Sequence, residues 1–386
     1  MMRVDDKFDG GNIELIDISK EKACLNIKKD SKSDEKQWFY FRASGIKNIR
    51  CNFEIANAST VSYPEAWPTC SIVASYDRKK WFRVPTFYNG KTLTFNLQAE
   101  NDIAYFALFE PYSYERHLDL ISWSLTQDNC ALLSYCETLE HNQIELLQIG
   151  TRSNDKKNIW IIARQHPAET MAEWFIEGLL KKILSGTSLQ NKALLDAATF
   201  YILPNMNPDG AIAGNLRTNG AGIDLNRSWL NPNKLTAPES HFVFEQMKSI
   251  GVDLFLDIHG DEDIPYAFIA GSEGNPSYTK ELALLDTFFR AQFNKATPDF
   301  CVENGYKANL PGAGDLRIAC NQVGEYFNCL SLTIEMPFTD NKYQPNKIEG
   351  WNAQRSMALG AAVLTPIRNI LPKLTKTKNI IGTQIN

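Results

Sequence analysis

From about residue 112 to about 370, apolar runs of strand length alternate with longer amphipathic segments, and this alternation limits the fold more than any other feature of the chain. The runs "IELLQIG", "NIWIIARQ", "ATFYILPNMN", "VDLFLDIHG", "YAFIAG" and "LSLTIEMPF" read as strands. Helical patterns follow His166 and recur near residues 238–250, 276–296 and 350–370. Such alternation predicts an α/β domain around a mixed sheet, buried on both faces by helices. Residues 1 to about 110 carry a different rhythm of short alternating or aromatic runs, among them "WFYFRASG", "SIVASYD" and "KTLTFNL". Their spacing predicts an all-β antiparallel sandwich, and Asn89-Gly90 marks a hairpin within it. At 386 residues the chain is long enough for two cores. We expect an N-terminal β-sandwich domain over residues 1–111 and an α/β domain over residues 112–386, with the tail after about residue 373 loosely held.

Composition narrows the setting. With 44% hydrophobic and 22% charged residues, and no apolar run near the roughly 20 residues that a bilayer span needs, the chain reads as globular with no membrane segment. The N-terminus, "MMRVDDKFDG", has acidic residues where a signal peptide is apolar, so a cytoplasmic location is expected. A net charge of -5 argues against nucleic acid as a partner. The eight cysteines are scattered without a CxxC pair and are expected to be buried free thiols.

In open α/β sheets functional groups gather just past the carboxyl ends of strands. After "IWIIA" come His166, Pro167 and Glu169, with Pro167 suited to the first helical position. His259 ends another strand, with Asp257 or Asp261 beside it as an outer partner, and Glu335 closes "LSLTI". A histidine three residues before a glutamate means little alone. Two histidines and one carboxylate that leave a fourth position open, however, are the donor set of hydrolytic zinc. Glu335, at the end of an apolar strand, suits the proton-transfer role that such a centre needs. The glycine-bearing loop "GNLRTNGAGIDLNRSW" offers Arg217, Asn226 and Arg227 to a carboxylate. His117, His141 and His241 lack strand-exit positions and are expected as satisfied surface or interface histidines.

In the order HPAE, NPDG, LR, DLNR, DIHG and TIE, over about residues 113–370, the chain resembles the zinc metallocarboxypeptidases of the carboxypeptidase A superfamily. The β-rich segment before them, with "FEPYSYERHLDLI", resembles the N-terminal domain of the cytosolic carboxypeptidase branch. The resemblance implies one zinc ion per chain held by His166, Glu169 and His259, with Glu335 as general base and acid. It also implies that Arg217 stabilises the oxyanion while Asn226 and Arg227 bind the terminal carboxylate of a peptide or protein tail. Tyr306 is preferred over Tyr326 as the tyrosine that caps the substrate, Tyr326 being expected in or beside the strand that ends at Glu335. Arg317 and Lys307 are candidates for a side-chain pocket that favours acidic termini. The expected activity is hydrolysis of the C-terminal peptide bond by a promoted-water mechanism. Two alternatives stand beside it: a zinc amidohydrolase of the aspartoacylase or desuccinylase type, and a catalytically silent peptide-binding protein.

Overall fold

Period-two alternation puts Phe41, Phe53, Phe95 and Phe106 on the inner faces of the first ten strands, where their rings pack 4.6–6.3 Å apart. The computed structural model describes residues 1–185, 188–346 and 348–376, so most of the tail expected to be loose lies outside the described residues. One five-stranded sheet joins, in spatial order, Arg3–Asp5, Tyr40–Ser44, Ile103–Ala107, Val73–Ser75 and Phe82–Arg83. The other joins Glu14–Ile18, Lys22–Asn26, Arg50–Ile55, Leu93–Gln98 and Thr86–Tyr88. The pairing is antiparallel except where Lys22–Asn26 meets Arg50–Ile55. The predicted hairpin is present, with Asn89 Oδ1 accepting from Lys91 N at 2.9 Å and Thr92 N at 2.8 Å.

The second half is the predicted mixed sheet. Its seven strands lie in the order Cys130–Glu137, Gln143–Ile149, Ala198–Leu203, Lys157–Ala163, Leu254–Asp261, Leu330–Pro337 and Phe268–Gly271. The four strands at its centre run parallel and the outer ones antiparallel. The central strands are buried on both faces, which explains their unbroken apolar runs. On one face the helix Thr170–Leu184 packs against Ala353–Ala362. Their backbones touch because glycines meet there: a Cβ on Gly178 would lie 2.0 Å from Met357 O, and one on Gly360 1.9 Å from Phe175 O. The apolar core on this face runs without a break into the sandwich, while a second core fills the other face.

Several boundaries differ from expectation. The helix near 276 starts at Lys280, where Thr279 caps it, and the last helix is two, Ala353–Ala362 and Leu364–Ile370. Five of the eight free cysteines are buried, whereas Cys24, Cys130 and Cys136 are half-buried. No helix among the described residues is long and apolar enough to cross a membrane.

Candidate metal centre and active site

The strand Lys157–Ala163 ends in a sharp turn, where Arg164 adopts a φ of +58°. Behind it the chain presents His166 and Glu169 before the helix begins at Thr170. Pro167 therefore precedes the helix rather than occupying its first turn, and Glu169 sits at the N-cap. It makes no capping bond. Its carboxylate turns instead to the two histidines, with Oε1 2.5 Å from His166 Nδ1 and Oε2 2.8 Å from His259 Nδ1. Gly260 N donates to the same Oε2 at 3.0 Å. A Cβ on Gly260 would lie 2.4 Å from Met171 Sδ, so glycine here lets the Met171 side chain pack against the strand.

The two imidazoles are arranged alike. Each turns Nδ1 inward and Nε2 outward to a carboxylate, His166 to Asp224 Oδ1 at 3.1 Å and His259 to Asp257 Oδ1 at 3.0 Å. Outer carboxylates of this kind orient and strengthen histidine ligands of zinc. Donor atoms of His166, Glu169 and His259 all lie within 4.8 Å of one another, and among the described residues this is the one such cluster of three or more histidine, cysteine or acidic side chains. Its donor set and its outer partners fit zinc. Asp257 takes the outer position at His259. The other expected candidate, Asp261, accepts from the Tyr306 hydroxyl at 2.5 Å.

Parallel pairing sets Glu335 directly beside His259 on the neighbouring strand. Its Oε2 is buried and has no partner among the described residues, and Oε1 lies 3.4 Å from the Tyr306 hydroxyl. Burial pushes the Glu335 carboxyl well above the usual range, and the charges of Glu169, Asp261 and Asp257 add to that against the pull of His259. Glu169 goes the other way: burial alone would raise it, but His166 and His259 hold it below the usual carboxylate range.

These groups open on a cleft of about 510 Å³, which Arg217, Asn226, Arg227, Tyr306 and Lys307 also line. Asn226 Oδ1 accepts from Ala319 N at 2.9 Å, which commits its oxygen and leaves the amide nitrogen as its donor group. Arg217 donates through Nε to Asp224 Oδ2 at 2.8 Å, which couples it to the outer partner of His166. Arg317 does not line the cleft. Its guanidinium grips Asp315 at 2.8 Å and is largely exposed. Tyr326 lies half-exposed on the helix Ala319–Phe327, packed edge-on against Phe244 rather than buried beside the strand.

Sequence reasoning missed several neighbours. Asp224 could have been found, since it opens the same DLNR run that holds Asn226 and Arg227. Gln165, next to His166, bridges Asp257 Oδ2 at 2.7 Å and the indole N–H of buried Trp229 at 2.8 Å. Glu262, just past the DIHG run, also lines the cleft, as do Tyr63 and Glu273 from segments without any motif. Expected as a satisfied surface or interface histidine, His117 is satisfied but buried, with Glu173 Oε1 2.6 Å from Nδ1 and Glu145 Oε2 3.0 Å from Nε2. Its position in an amphipathic helix with a partner far along the chain gave no sequence signal.

The model of the zinc carboxypeptidase family matches residues 123–349, and that of the cytosolic carboxypeptidase N-terminal domain matches residues 4–109. A metallo-carboxypeptidase from Pseudomonas aeruginosa, solved in complex with (2-guanidinoethylmercapto)succinic acid, is 42% identical with a TM-score of 0.94, covering 96% of this chain and 99% of that one. An uncharacterized protein of Zymomonas mobilis is 38% identical, covering 97% of each chain. Cytosolic carboxypeptidase 3 of Bos taurus is 27% identical over 79% of this chain, which spans only 34% of that relative.

Proposed function

The chain belongs to the zinc carboxypeptidase family, and from that premise we propose that it is a one-zinc exopeptidase in which His166, Glu169 and His259 hold the metal. The observation that carries this is the convergence of both Nδ1 atoms on Glu169, with Glu335 in register beside His259. When bound, zinc supplies a Lewis acid and lowers the pKa of water. Glu335 accepts the proton from the attacking water and delivers it to the departing amine nitrogen. The Arg217 guanidinium faces the oxygen of the scissile carbonyl, where negative charge develops. Asn226 and Arg227 hold the terminal carboxylate, which restricts the cleft to chain ends. Tyr306 closes over the substrate from the side of Asp261 and Glu335. The relatives named cytosolic carboxypeptidases support peptides or protein tails as substrates and a cytoplasmic setting.

Preference for an acidic terminal residue rests on Lys307, since Arg317 is committed to Asp315. A charge-assisted hydrogen bond of about 1.5–3 kcal/mol would favour terminal Glu by roughly ten- to a hundredfold. A second reading, preference for a basic residue, is favoured by Glu273, which lines the same cleft and whose buried Oε2 has no partner among the described residues. The ligand of the Pseudomonas relative carries a guanidinium besides its two carboxylates. Release of terminal Glu, Lys, Phe and Leu from otherwise identical peptides, with and without a chelator, tests both. Faster release of Lys overturns the acidic preference, and full activity in the metal-stripped protein overturns the metal assignment. Glu335→Gln is expected to keep zinc and lose about 10²- to 10⁴-fold in turnover; loss of zinc in that variant would make Glu335 a ligand instead.

A further inference from the structure

Arg217 lies on an irregular segment between the helix Pro208–Ala213 and the turn Leu225–Arg227. A loop that carries a reacting group must be fixed by its surroundings, and here the surroundings come from the β-sandwich. The buried Asp30 carboxylate accepts from the backbone N–H groups of Leu216, Arg217 and Thr218 at 2.5, 2.8 and 2.9 Å, and from Thr218 Oγ1 at 3.1 Å. Asn12 Nδ2 donates to Gly214 O at 2.7 Å, Ser31 N to Asn215 Oδ1 at 2.9 Å and Lys32 Nζ to Gly220 O at 2.7 Å. On the other side of the centre, Arg83 of the sandwich donates to Phe338 O at 3.1 Å, Thr339 O at 3.1 Å and Trp351 O at 2.8 Å, just beyond the strand that ends in Glu335 and Pro337. The sandwich therefore grips the chain on both flanks of the reacting groups.

It also reaches the guanidinium itself. Arg217 Nη1 donates to the Tyr63 hydroxyl at 2.9 Å while Nε is held by Asp224. Two anchors on one planar group fix its plane as well as its position. Among the described residues Nη2 has no protein partner, and Tyr63 itself lines the cleft. We propose that the β-sandwich is a working part of the catalytic centre, with Tyr63 as the positioning residue that sets the Arg217 guanidinium toward the scissile carbonyl. This rests on the assignment of Arg217 to the carbonyl oxygen.

The test is Tyr63→Phe in two backgrounds. The substitution keeps the ring and removes only the hydroxyl, so melting temperature and zinc content should be unchanged. Calorimetric affinity of the metal-free protein for a peptide should stay within about twofold, because terminal-carboxylate binding is untouched. In the otherwise native enzyme kcat should fall about tenfold with KM nearly constant, the effect of losing one bond to a charged group. In the Arg217→Ala background the same change should have no further effect. An unchanged kcat in the native background, or an equal fall in both backgrounds, overturns the proposal while leaving the role of Arg217 intact. Full activity of Arg217→Ala alone overturns the assignment of Arg217, and the positioning role of Tyr63 with it.

Discussion

His117 and His259 are both buried, and each is flanked by two carboxylates at nearly the same distances: Glu173 and Glu145 at 2.6 and 3.0 Å, Glu169 and Asp257 at 2.8 and 3.0 Å. What differs is the source of positive charge around them. Glu173 also accepts from Arg164 Nη1 at 2.7 Å and Asn205 Nδ2 at 3.2 Å, and nearby Glu177 accepts from Arg116 and Lys181. The His117 cluster thus contains its own cations and closes on itself. Around Glu169 the two imidazoles face one carboxylate, Glu335 stands alongside, and the group opens on a cleft. The cleft leaves room for a cation from outside, as the proposed metal role requires. On the proposed assignment the same residue types make a structural network in one place and a metal centre in the other, and the contrast lies in whether protein cations already face the carboxylates.

The largest effects should separate the clusters outright. His259→Ala should abolish stoichiometric metal binding and turnover, as read by metal analysis and peptide release. Its counterpart, Glu173→Gln, should keep one metal per chain but cost about 3–5 kcal/mol of stability in denaturant unfolding, because buried Arg164 loses its charged partner. A loss of metal in Glu173→Gln with little loss of stability would erase the distinction.

Titration gives a third contrast. Burial alone would lower the His117 pKa, but Glu173 and Glu145 outweigh it and push it up to about 9. A folded pKa above the unfolded value near 6.5 means that the folded state binds the proton more tightly. This stabilisation is fully present below about pH 6.5 and is lost as pH rises through about 9. The loss should amount to about 2–3 kcal/mol between pH 6.5 and 10, and His117→Gln should flatten that part of the profile. The outer carboxylates come next: Asp224→Asn should weaken metal affinity by about ten- to a hundredfold without unfolding the protein, measurable by competition with a chelator. The smallest effect belongs to His141, which pairs with Glu137 on the surface and is mostly exposed. His141→Ala should change stability by no more than about 0.5 kcal/mol and leave metal content unaltered. A larger effect would mean that a histidine–carboxylate pair matters whatever its burial.

The change of rhythm near residue 112, the strand exits and the order HPAE, DLNR, DIHG and TIE were legible because they depend on local chemistry. Period-two and apolar runs encode strands, and a group placed just past a strand end is carried to the sheet edge wherever the strand goes. Thus the place of His166 and Glu169 just past a strand end could be read from the sequence, whereas His259 and Glu335 fall two residues inside the ends of Leu254–Asp261 and Leu330–Pro337. The tertiary structure alone decided what surrounds them. It gave His117 buried carboxylates 28 and 56 residues away, tied Arg317 to Asp315 outside the cleft, and chose Asp257 over Asp261 as the partner of His259. It also brought Asp30 and Tyr63 to Arg217 across more than 150 residues of chain. Such pairings are made by the docking of the sandwich onto the mixed sheet, and no local pattern of residues encodes which distant surface a loop will meet.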